Sequence, residues 1–151
     1  MVFFVNVKVY SERLDRRLEM AHGIPQKYQE FVVTDLPKFL EVTGHHKPSP
    51  FWITPDMFSG VHLRVAGMDV SKAVGAPHAE PHVHESPEIY LCPSETRGAV
   101  VVEIQMDEEI FLLESPFTVF IPPGVKHCFK VLRCASPHYV FGIMPLDWKK
   151  S

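Results

Sequence analysis

The chain has 151 residues, 46% of them hydrophobic and 22% charged, with a formal net charge of −3. That composition belongs to an ordinary globular protein, and a chain of this length buries roughly 70% of its unfolded surface without needing staples. The slight acidity argues against general nucleic-acid binding, and no apolar run reaches the length of a membrane span. Fourteen prolines favour frequent turns over a helical bundle. The three cysteines, Cys92, Cys128 and Cys134, form no C-x-x-C pair. An odd number without a signal peptide fits a reducing compartment, so the expectation is a cytoplasmic protein.

Residues 2–10 alternate loosely and read as a short strand. Ser11 is an N-cap for a helix whose stripe is Leu14, Leu18 and Ala21, stopped by Gly23 and Pro25. Thr34 caps a second expected helix carrying Leu36, Phe39 and Leu40 and ending at Gly44. Residues 1–50 are thus expected to form an extension with one or two helices, packed on the main domain or on a second copy. His45-His46-Lys47-Pro48 reads as a solvated loop, because adjacent histidines point to opposite sides of an extended chain.

Residues 58–70 read as a long strand in which His62, Arg64, Ala66 and Met68 share one face. Two readings of Arg64 stay open: a solvated side chain, or a cation facing an anionic substrate. Residues 70–81 form a loop rich in Ala, Gly and Pro that carries His78, which is an ordinary loop residue, a fifth metal ligand or a rim residue touching substrate. Glu88 to Cys92 is a strand with Glu88, Tyr90 and Cys92 on one face. Tyr90 is then either core or a pocket phenol; Cys92 has no basic neighbour and reads as buried and inert. Residues 99–106 and 109–113 are two strands joined at Asp107-Glu108. From His127, the face carrying Phe129 and Val131 continues inward, and residues 139–144 close the series. Many short strands at turn-rich spacing indicate an all-β sandwich or barrel.

Two stretches carry chemistry. In Pro81-His82-Val83-His84-Glu85-Ser86-Pro87-Glu88, the two histidines are two apart, so an extended chain aims both imidazoles at one point. The Ser86-Pro87 turn can bring the carboxylate of Glu88 back towards them. The second stretch, Ile121-Pro122-Pro123-Gly124-Val125-Lys126-His127, is a proline-glycine turn feeding a strand that opens with a fourth candidate ligand. Three imidazoles and a carboxylate suit one divalent first-row metal.

Together the two stretches resemble the motifs of the cupin superfamily. Its first motif, H-x-H followed after three or four residues by E, matches His82, His84 and Glu88; its second, P-x-G then H, matches Pro122, Gly124 and His127. The resemblance spans roughly residues 58–145. The pattern departs at three places: the glycine after the glutamate stands late, at Gly98, the residue four beyond the second-motif histidine is Val131, and the glycine before the first motif is Gly75. The resemblance implies a single jelly-roll barrel, residues 51–148, behind the extension, with a metal held by His82, His84, Glu88 and His127.

Iron(II) or manganese(II) are the first expectations for that metal, and zinc, nickel and copper also fit. In octahedral geometry two positions stay open for a chelating substrate such as a keto acid, hydroxy acid, diketone or sugar derivative. The superfamily includes dioxygenases, isomerases, lyases and non-catalytic binding proteins, so the fold does not choose the chemistry. The expectation is a metal-dependent enzyme with Tyr90, Arg64 and His78 as its pocket residues, the alternative being a non-catalytic small-molecule binder. The expected partners are an anionic or chelating small molecule and, through residues 1–10, a second copy in a homodimer, with no nucleic acid and no membrane.

Overall fold

The computed structural model describes residues 27–148. The chain divides into two compact units, residues 1–32 and 33–151, and the architecture below is that of the second. The strand expected over 2–10 and the helix expected to begin at Ser11 lie outside the described residues.

Nine strands follow in order: β1 (Lys38–Leu40), β2 (Ser49–Ile53), β3 (Leu63–Asp69), β4 (Glu88–Cys92), β5 (Val100–Met106), β6 (Glu109–Glu114), β7 (Phe117–Ile121), β8 (His127–Cys134) and β9 (Tyr139–Pro145). They form a six-stranded sheet, β1-β2-β3-β9-β4-β7, and a three-stranded sheet, β6-β5-β8, with all pairings antiparallel. The all-β expectation therefore holds. Among the described residues no helix is long and apolar enough to cross a membrane.

Period-two patterning explains why these segments are strands. In β5 the side chains of Val100, Val102 and Ile104 are buried, while Val101 and Glu103 between them are not. In β8 the buried set is His127, Phe129 and Val131, and in β4 it is Glu88, Tyr90 and Cys92. These faces meet Ile121 of β7 and Val140 of β9 in one core. Each fully buried aliphatic or aromatic side chain there contributes about 1.5–3 kcal/mol relative to exposure. The alternation of β8 fails after Val131, where the register against β5 slips between Val101 and Val102. Leu132 is then 38% exposed, as expected of an extra residue in a bulge.

Two local expectations are corrected. The helix over 34–44 is absent: Lys38–Leu40 is a strand paired antiparallel with Ser49, Pro50 and Phe51 of β2, Leu40 lying opposite Ser49. Its residues Phe39 and Leu40 are exposed, so no helical stripe is buried there, and pairing with β2 overrides a weak propensity signal. The strand expected to start at 58 starts at Leu63, because two tight turns precede it, Met57 N–H donating to Thr54 O and Val61 N–H to Phe58 O. Gly60, with φ +79°, supplies the left-handed residue of the second turn. β1 and β2 both begin before residue 51 and belong to the large sheet.

Candidate metal centre

The two motif stretches are joined by a reciprocal backbone bridge. His82 N–H donates to His127 O at 3.0 Å and His127 N–H donates to His82 O at 2.9 Å. Gly124, at φ +82°, turns the chain so that its N–H reaches His84 O at 3.1 Å. The hairpin tip braces the same turn from the other side, since Asp107 accepts from Lys126 N–H through its carboxylate and donates its own N–H to Lys126 O at 2.7 Å. Glu88 opens β4 directly after Pro87, and its register partner Ile121 lies just before the proline-glycine turn. Thus four side chains from two separate stretches converge, with ligand atoms of His82, His84, Glu88 and His127 all within 4.8 Å of one another.

The hydrogen bonds fix which nitrogens face the centre. His82 Nδ1 lies 2.9 Å from Glu80 O, His84 Nδ1 2.6 Å from Ser86 O, and His127 Nδ1 2.9 Å from Val125 O. A carbonyl only accepts, so each Nδ1 carries the proton and each neutral ring presents the lone pair of Nε2. His84 Nε2 and His127 Nε2 then stand 3.2 Å and 3.1 Å from the same Glu88 Oε2. Two nitrogen lone pairs against one carboxylate oxygen repel unless a cation lies among them. A divalent ion satisfies all four donors at once, and the three Nδ1–H···O=C bonds are the supporting contacts expected around metal-bound imidazoles. The donor set therefore fits a metal.

Without an ion the same two Nε2 atoms act instead as donors: burial alone would raise the Glu88 carboxyl, but hydrogen bonds from His127 and His84, together with the charge of the rings, outweigh it and hold Glu88 at about 2. The hydrogen bond to Glu88 raises His84, and burial lowers His82. Gly142 of β9 faces the carboxylate, and a Cβ there would collide with Glu88 Oε1.

Beside the centre lies a chamber of about 50 Å³, into which His82 and Glu88 face. A water needs about 10–15 Å³ on this measure, so the chamber admits a few waters or one small molecule. Tyr90 and His78 both line it. Tyr90 is buried, and burial followed by the charge of Glu88 pushes its phenol well above the usual value. His78 stacks on Phe129 at 5.5 Å, and burial lowers its pKa. Arg64 is exposed and is not among the residues lining the chamber, although Ala66 and Met68, further along the same face of β3, are. His62 lies before β3 and sits 3.4 Å from Asp147 at the surface. Cys92 is fully buried and raised to about 11 by burial, which keeps it a thiol.

One residue was misplaced by sequence reasoning. His45 was expected in solvent, yet it lines the chamber, with its ring 5.3 Å from that of His82. His46 does face outward, towards Glu80 at 3.5 Å. The rule that adjacent histidines diverge was sound; what it lacked was the isolated bridge between His45 and Ala79 that turns one of the pair inward.

No family model matches the chain, and no curated protein matches it. Solved structures do. A cupin 2 domain-containing protein from Halorhodospira halophila superposes with TM-score 0.51 and 17% identity over 66% of this chain, which spans 64% of that protein. An RmlC-like cupin from Shewanella frigidimarina gives 0.51 and 14%, over 78% of this chain and 91% of that one. A cupin-like protein from Thermotoga maritima gives 0.52 and 14%, over 77% and 82%.

Proposed function

We propose that this chain, which has the cupin fold, is a metal-dependent enzyme acting on a small oxygenated metabolite at the centre formed by His82, His84, Glu88 and His127. The observation that carries the reading is the set of three imidazoles, each pinned through Nδ1 to a backbone carbonyl and grouped within 4.8 Å of one buried carboxylate, with two of them, His84 and His127, directly on it, beside a small chamber. When bound there, a divalent ion, iron(II) or manganese(II) first, supplies Lewis acidity towards a substrate oxygen.

The chain's own residues would do the rest. Glu88 and the three histidines fix the position of the ion, and Gly142 leaves the carboxylate its space. Tyr90, kept as a neutral phenol by burial, would donate a hydrogen bond to substrate. His78, whose protonated form burial disfavours, would accept a proton or donate one from a fixed place on Phe129. Ala66, Met68, Phe129 and Val140 exclude water from the remaining wall. The reaction is either oxidative, consuming dioxygen, or an isomerisation or lyase step.

A second reading, a non-catalytic small-molecule binder, draws support from one feature: among the described residues Glu88, itself one of the four metal-site residues, is the only carboxylate lining the chamber. Metal content by elemental mass spectrometry, with His127→Ala alongside, tests the centre. About one equivalent, lost in the variant, is expected. Oxygen uptake and substrate loss are then followed with iron, manganese and zinc forms against keto acids, hydroxy acids and diketones. Turnover without oxygen uptake selects the non-oxidative chemistry, and binding without turnover selects the second reading. A protein that takes up no metal on reconstitution sinks both.

A further inference from the structure

His45 and Ser49 have no part in the chemistry above, yet the structure seats them with care. Ser49 is 1% exposed, and its Oγ lies 2.8 Å from His45 Nδ1. The segment is held by the bridge of His45 to Ala79 and by Glu80 N–H donating to Gly44 O at 2.9 Å. The imidazole stands edge-on to His78 at 4.9 Å and against His82 at 5.3 Å, on the wall of the chamber. With Nδ1 taken by Ser49, only Nε2 is left to bond a ligand, and among the described residues it has no hydrogen-bond partner. Among the described residues no lysine or arginine lines the chamber, and its polar side chains beyond the metal ligands are His45, Ser49, His78, Tyr90 and the thiol of Cys128. Such walls recognise hydroxyl or carbonyl groups and offer a phosphate no counter-charge.

We propose that His45, oriented by Ser49, is a specificity-determining residue that hydrogen-bonds a second, uncharged polar group of the substrate whose first oxygens are held at the metal centre. The substrate class is then a small polyoxygenated compound, such as a polyhydroxy acid, and not a phosphorylated one. This rests on the metal-centre reading, and the test separates the two. Zinc-loaded protein is titrated calorimetrically with lactate, with glycerate, which differs by one added hydroxyl, and with 3-phosphoglycerate; zinc content is measured in parallel. A neutral hydrogen bond of ordinary net strength corresponds to about a tenfold preference for glycerate.

Wild type is expected to show that preference. His45→Leu is expected to bind lactate as wild type does, to keep its zinc, and to lose the preference. His45→Gln, which keeps a donor and an acceptor, should retain part of it and serves if the leucine variant fails to fold. An undiminished preference in His45→Leu, or in His45→Gln alone with Ser49→Ala, overturns the role of His45 and leaves the metal centre standing. Tighter binding of 3-phosphoglycerate than of glycerate overturns the uncharged substrate class. Absence of any zinc-dependent binding overturns the metal-centre reading and this proposal with it.

Discussion

Glu88 is the residue on which the site turns, because it is both nearly buried and ionised. Its folded value of about 2 lies below the ordinary 4.5. A depressed carboxyl contributes stability that is fully present above about pH 4.5 and is lost as pH falls through about 2. The metal-free protein should therefore lose part of its urea resistance across that window. Glu88→Gln should flatten this part of the profile; a wild-type curve with no slope there would show that the histidines do not stabilise the carboxylate. Gly142 offers a second test at the same scale. Gly142→Ala places a methyl where Glu88 Oε1 sits, so the carboxylate must move. We expect metal affinity to fall about 10–100-fold, the usual cost of disturbing a ligand's support, with a stability loss of about 1–3 kcal/mol from overpacking. Competition with a chelator and thermal melting of the metal-free form measure the two effects separately.

At the scale of elements, the parts with strong periodicity and tight turn chemistry were legible. The β5–β6 hairpin is joined by Asp107-Glu108 as read, and the inward sets of β4 and β8 follow from alternation. β1, β2 and the start of β3 were not legible. Pro48 and Pro50 hide a strand whose evidence is its partners, and Lys38–Leu40 is too short to carry a pattern of its own. The hairpin also leaves a consequence. Ile110 and Leu112 of the edge strand β6 are 62% and 67% exposed, opposite Gln105 and Glu103 on the outer face. An apolar edge strand invites pairing with another chain. Ile110→Lys with Leu112→Lys should lower the mass seen by light scattering at high concentration. Stability should change by only about 0.5 kcal/mol, as is usual for exposed positions. An unchanged mass would show that the edge does not associate.

For the molecule as a whole, the metal links distant parts of the chain. His82 to Glu88 belong to the approach to β4, whereas His127 begins β8 in the other sheet. An ion that binds only the folded state, at a free concentration one hundred times its Kd, adds about 2.7 kcal/mol. Chelation should therefore lower Tm by several degrees, and His127→Ala should abolish the difference between loaded and chelated protein. Equal Tm values with and without chelator in wild type would mean that no ion is held by the folded chain.

What the sequence by itself determined is local. Spacing placed His82 and His84 together, Pro-Gly chemistry placed the turn before His127, and alternation put Tyr90 inward with Glu88, because these depend on neighbours within a few residues. What only the tertiary structure decided is which distant segments share a wall. His45 is turned inward by a bridge to Ala79, thirty-four positions on (79 − 45). Arg64 is left outside because the chamber ends before it reaches that part of β3. Such outcomes are fixed by long-range pairing and by the shape of the space between two sheets. Neither leaves a period or a motif in the residues concerned.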